Sequence, residues 1–161
     1  MRQLPLFLIV YLLLLGCKTN QTQSISQVSV VPINTDQALT TIAFGSCNKA
    51  NEPQPLWAEI IQQQPDLWVW LGDNIYGDTP DMELMQQEYQ RQFYHKGYQK
   101  LLASTAVVGI WDDHDYGVND GGKYFAQKAP SRDLMLEFLQ VDPSRPVWQR
   151  EGGYQSYTFG S

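Results

Sequence analysis

Leu67-Trp68-Val69-Trp70-Leu71-Gly72 is an unbroken apolar run bounded by Pro65-Asp66 on one side and a glycine on the other. A run this short, with no polar alternation, reads as a strand covered on both faces, the kind found in parallel sheets. Upstream, Leu56, Ile60 and Ile61 recur at helical spacing, which predicts a helix over 56–64. Before it, Thr41-Ile42-Ala43-Phe44 predicts a strand broken by Gly45-Ser46-Cys47-Asn48. Strand, helix, strand implies a parallel sheet with right-handed crossovers. Downstream, Thr79 is the expected cap of a helix with Pro80 at its first position, carrying Leu84, Tyr89 and Phe93 and ending near Gly97. A short helical segment through Leu101 and Leu102 leads to a third strand, 106–111, and Ser131 is expected to cap a last helix holding Leu134, Met135, Phe138 and Leu139. Residues 147–150 and 154–159, joined across Glu151-Gly152-Gly153, suggest a hairpin. The fold class is α/β, a parallel or mixed sheet with flanking helices.

At 161 residues and 43% hydrophobic, the chain has room for one domain and a leader, and is too apolar to be disordered. A net charge of -6, with no basic stripe, argues against nucleic-acid binding, which needs clustered cations to displace phosphate counterions. Arg2, the apolar run Leu4 to Leu15 and small Gly16 form a secretory leader over 1–17. The run is shorter than the ~20 residues that span a bilayer. Leu14-Leu15-Gly16-Cys17 resembles a bacterial lipobox, so Cys17 is the expected acylation site of an exported lipoprotein anchored on the periplasmic or extracellular face. Residues 18–39, rich in Gln, Thr, Ser and Asn, read as a flexible tether, and the folded domain as 40–161.

Each predicted strand runs out into a polar motif: Gly45-Ser46-Cys47, Gly72-Asp73-Asn74-Ile75-Tyr76 and Trp111-Asp112-Asp113-His114-Asp115. In a parallel sheet these carboxyl ends share one edge, where ligand sites form. Carboxylates gathered there repel one another, and a cation is the simplest compensation. The candidate metal ligands are Cys47, Asp73, Tyr76 and Asp113, with Asn119 further along the last loop; His114 is the candidate catalytic group or a further ligand. Each has a plainer alternative. Cys47 could be a small buried hydrophobe, Asp73 a turn cap and Tyr76 a core residue bonded to backbone. Asp112 and Asp115 read as caps or ion-pair partners, and His95 as a solvated helix end.

Together Phe44-Gly45-Ser46-Cys47, Leu71-Gly72-Asp73-Asn74-Ile75-Tyr76 and Trp111-Asp112-Asp113-His114-Asp115 resemble the signature blocks of the PhoD-like alkaline phosphatases, within the calcineurin-like metallophosphoesterases. The resemblance implies a β-sandwich flanked by helices, a centre of iron plus calcium or similar divalent ions, and hydrolysis of phosphomonoesters or phosphodiesters by a metal-bound hydroxide. It also implies that Cys47 and Tyr76 hold iron, that Asp73 bridges, that Asp113 or Asn119 helps hold the second ion, and that His114 contacts phosphate or protonates the leaving oxygen. Such proteins carry a later Gly-Asp-x-His block that this sequence lacks, with only 2 His in all. The expectation is therefore a partial metallophosphoesterase-type sandwich with its second half absent. The alternative function is a catalytically inert lipoprotein fragment without the later metal ligands.

Overall fold

The computed structural model describes residues 29–160. The leader and the acylation site expected at Cys17 lie outside the described residues. Strands β1 (Ile42–Gly45), β2 (Leu67–Leu71) and β3 (Ala106–Ile110) form a three-stranded parallel sheet in the order β1-β2-β3. Gly45 lies opposite Trp70, and Leu71 opposite Ile110, so the strands finish along one edge. Between and after them come α1 (Trp57–Gln62), α2 (Met82–Phe93), α3 (Lys96–Leu102), α4 (Asp113–Tyr116) and α5 (Lys128–Phe138). The α/β class and the parallel strand pairing are thus as expected. Among the described residues no helix is long and apolar enough to cross a membrane.

Trp68 and Trp70, two apart on β2, share one face of the sheet, and the helices gather on that face. Trp57 of α1 meets both indoles edge-on, with ring centroids 5.4 and 5.8 Å away. Tyr98 of α3 and Phe138 of α5 complete the aromatic core, stacked on each other at 5.6 Å, and Trp70 Nε1–H donates to the Tyr98 hydroxyl at 3.1 Å. Gly109 of β3 makes room for this: a Cβ there would lie 2.5 Å from Trp70 Cβ. The opposite face is barer than the sequence suggested. Phe44 of β1 is 67% exposed and Leu71 of β2 49% exposed, while Leu67 on the same face is buried, so cover on this face is partial.

Several local expectations are corrected. The cap of α2 is Asp81, whose Oδ1 accepts from Glu83 and Leu84 N–H, while Thr79 Oγ1 accepts from Asp81 N–H and shapes the preceding turn. Helix α2 stops at Phe93, short of Gly97, because His95 caps a new helix by accepting from Gly97 N–H at 3.2 Å. His95 is therefore a structural cap, half-buried, in place of the solvated helix end expected. Ser131 lies inside α5, where its hydroxyl donates to Tyr116 O and ties α5 to α4. The expected hairpin does not form. Residues 146–149 make a 3-10 turn opened by Pro146, which brings no N–H to a ladder, and 153–160 run without strand pairing. That last segment is held by side chains, with Arg145 over the Tyr157 ring at 4.5 Å, and by Gly160 N–H, which donates to Thr35 O at 3.0 Å. Residues 29–39 carry no helix or strand, yet Val31 N–H donates to Leu102 O at 3.0 Å and Val30 packs on the core.

The sheet's other end is stitched by Asp66. Its Oδ2 accepts from Thr40 and Thr41 N–H at 2.7 and 2.9 Å, and its own N–H donates to Thr41 O at 2.9 Å. The Thr41 amide, then that of Thr40, holds the carboxyl below its ordinary 3.8. A depressed folded-state pKa gives stabilisation that is present above pH 3.8 and disappears as pH falls through the folded value. Acidification through that range should therefore lower the melting temperature of the native protein more than that of Asp66→Asn. Parallel melting curves for the two would rule the contribution out.

Candidate metal centre

The common finishing edge of β1, β2 and β3 gives rise to three loops, and backbone bonds pull them together. Asn48 N–H donates to Asp73 O at 2.8 Å, and Asn48 Nδ2 donates to Asn74 O at 3.1 Å, joining the first loop to the second. Gln92 of α2, fully buried, receives the same Asn48 amide on Oε1 at 2.8 Å. Gly77 and Asp78 N–H both donate to His114 O at 3.2 Å, joining the second loop to the third. Gly72, at φ +99°, lets the second loop press on the third: a Cβ there would sit 2.6 Å from Asp112 Cβ.

Beneath the loops lies Asp115, fully buried. Its Oδ1 accepts from Asp112 N–H at 2.7 Å and Asp73 N–H at 3.2 Å, its Oδ2 from Asn74 N–H at 3.0 Å, and the Tyr89 hydroxyl donates to its carbonyl at 3.3 Å. Burial pushes its pKa up to about 7, against the pull of the Asp112 and Asn74 amides. Asp112 is the cap of α4, accepting from Asp113 N–H at 3.0 Å in a capping box with Asp115. Both residues are scaffold, as their sequence context suggested.

Above this clamp, Asp73, Asp113 and His114 each offer a ligand atom within 4.8 Å of the others. The Cys47 thiol donates to Asp73 Oδ2 at 3.7 Å, and the Tyr76 phenol lies beside the Cys47 and Asp73 side chains. Burial first, then these two neighbours, pushes the Tyr76 phenol well above its ordinary value. Asp73 thus stands between two donor groups. Two of the plainer alternatives do not describe these residues: Cys47 is exposed, and Asp73 bonds no turn amide with its side chain. Cys47, Asp73 and Asp78 are all left-handed, at φ 56, 49 and 46°. For non-glycine residues that conformation costs roughly 1–3 kcal/mol each and clusters where a site dictates a side chain's direction. Asn119 is exposed and its Nδ2 donates to Asp120 Oδ2 at 2.9 Å, while Asp120 N–H donates to Asp113 Oδ2 at 2.6 Å, so its link to the cluster runs through Asp120.

Asp78 is a candidate site residue that the sequence did not disclose. Its Oδ1 lies 2.6 Å from His114 Nδ1, and the Tyr76 ring packs on the imidazole at 4.3 Å. Nothing in Gly77-Asp78-Thr79 marks more than a turn, because the contact spans 36 positions. With Nδ1 engaged, Nε2 is the nitrogen left for an ion or a substrate oxygen.

The residues fit a cation on one decisive point. Asp73 is 8% exposed, and its Oδ1 is buried without any hydrogen-bond partner. An unpaired carboxylate oxygen beside a second carboxylate is costly, and a bound cation compensates both. No protein-family model, curated protein or solved structure matches the chain.

Two outcomes follow from this geometry. Burial works to lower the His114 pKa, but the bond and charge of Asp78, with the charges of Asp73 and Asp113, outweigh it and hold the ring above 6.5. In the metal-free protein, NMR titration should find that raised value, and Asp78→Asn should bring it down. The stabilisation linked to it is fully present below pH 6.5 and is lost as pH rises through the folded value. Separately, Gly72→Ala forces a methyl against Asp112 and should cost about 1–3 kcal/mol in denaturant unfolding, as overpacking does.

Proposed function

We propose that this cluster is the metal centre of a phosphate-ester hydrolase of the PhoD-like kind, with iron and calcium or similar divalent ions as cofactors. The buried, unpartnered Asp73 Oδ1 carries the reading, because it is an anion site awaiting a cation at the place where three strand ends converge. Thiolate, phenolate and carboxylate from Cys47, Tyr76 and Asp73 make a donor set suited to ferric iron. Asp73 and Asp113, close to each other and to His114, make a harder one suited to a divalent ion. Asp73, common to both, is the bridging candidate. Bound there, such ions supply Lewis-acid charge that acidifies a water and neutralises phosphoryl oxygens.

The chain's own groups have separate tasks. Asp78 fixes His114 through Nδ1, leaving Nε2 to hold a proton for the departing ester oxygen. Asp113 is held by the Asp120 amide, which lowers its pKa and keeps it charged as a ligand. Lys49, 5.5 Å above the Tyr76 ring, adds a cation on the approach to the site and favours an anionic substrate. The leader and Leu14-Leu15-Gly16-Cys17 support an exported location, anchored to a bacterial membrane by lipid. One observation favours a second reading, a metal-binding lipoprotein without turnover: the cluster of His, Cys and acidic donors among the described residues stops at three.

The full chain, loaded with ferric iron and calcium, should hydrolyse p-nitrophenyl phosphate, with chelator removing the activity. Asp73→Asn should lower turnover by at least about a hundredfold, since even indirect partners of a metal ligand are worth 10–100-fold. A visible charge-transfer band lost in Tyr76→Phe, with no turnover, would favour the second reading. Absence of any metal binding would sink both.

A further inference from the structure

Asp115 is a buried carboxylate that neither donor group uses, yet it touches the backbone of both loops that supply those groups. Through Oδ1 it joins the amide of Asp112 to that of Asp73, and through Oδ2 it takes the amide of Asn74. Three backbone donors from two loops, 41 and 42 positions apart in sequence on the longer links, converge on one side chain. The Tyr89 hydroxyl, itself buried on α2, closes the remaining side through the Asp115 carbonyl and Oδ2. Asp73 cannot choose its side-chain direction freely, because its own N–H is held from below while its backbone is left-handed. Asp113 and His114 sit on the short helix α4, whose first amide, at the cap Asp112, ends on the same carboxylate.

We propose that Asp115 is a positioning residue of the metal centre, setting the separation between Asp73 on one loop and Asp113 and His114 on the other without touching the ion. The inference rests on the metal-binding reading of the cluster. A neutral amide at this position offers one acceptor oxygen in place of two, so one of the loop amides loses its partner while the volume is conserved. Ligands left to drift apart bind a cation more weakly and in an altered geometry, an effect that supporting partners of metal ligands exert at about 10–100-fold in affinity.

Cobalt(II) is the probe, since its visible absorption reports ligand geometry independently of protein stability. Titrated into the full chain, it should give a saturable d–d band with native protein and none with Asp73→Asn. Asp115→Asn should weaken cobalt binding by about 10–100-fold and, at saturating cobalt, displace the band. Leu101→Ala, a core change in α3 away from the cluster, should lower the melting temperature while leaving both affinity and band unchanged. If Asp115→Asn fails to unfold cooperatively, Tyr89→Phe takes its place and should displace the band in the same direction with a smaller loss of affinity. Native affinity and an unmoved band in whichever variant folds would overturn the proposal while leaving the centre intact. Failure of the native chain to bind cobalt would instead bring down the metal-binding reading itself.

Discussion

Because β1, β2 and β3 run parallel and in chain order, each strand must be followed by a crossover before the next begins, and each crossover departs from the same edge. That requirement alone brings Cys47, Asp73 and Asp113 to one end of the molecule, though they are far apart in the chain. Crossovers of one hand between strands in sequential order also fall on one face. Trp68 and Trp70 point to that face, and α1, α3 and α5 close on them through Trp57, Tyr98 and Phe138. The same constraint leaves Ile42, Phe44 and Leu71 well exposed on the other face. Helical cover and ligand edge are two consequences of one topology.

What the sequence disclosed about the fold follows from the range of the forces involved. The run Leu67–Leu71 became β2 with those boundaries, because a compact apolar segment bracketed by Pro65 and Gly72 has few other ways to be buried. The caps were less legible. Thr79 and Asp81 are both good capping residues, and only the backbone path decides which of them meets the first free amides. Ser131 lost its capping role to a contact with Tyr116, which is distant in sequence. The hairpin at 147–159 failed because alternation and glycines describe a strand's propensity, whereas a ladder also needs a partner, and Pro146 set a 3-10 turn in its place.

The site divides in the same way. Residues that follow strands by two or three positions were readable, since topology delivers them: Cys47, Asp73 and Asp113 are of this kind. Asp78 was not, because its role is fixed by a 2.6 Å contact to a ring on another loop. Gln92 was equally silent; an amide on an amphipathic helix looks like its solvated side until the fold buries it against Asn48. Supporting residues are chosen by three-dimensional adjacency, and one sequence carries no record of that.

The carboxylates themselves supply the sharpest distinction. Asp66 accepts two backbone amides, Asp81 accepts two, Asp112 and Asp113 accept one each, and Asp115 accepts three. All five are carboxyl groups that the backbone's own N–H groups satisfy, and each can be understood as a structural tie. Asp73 differs. It lies beside Asp113, its Oδ2 receives the thiol of Cys47, and its Oδ1 is sealed from water with no donor at all. A fold that places amides on its other strand-end carboxylates while withholding them from this one leaves an oxygen that a bound cation would compensate. The exception, more than the accumulation of acidic residues, is what makes this edge of the sheet a candidate metal site.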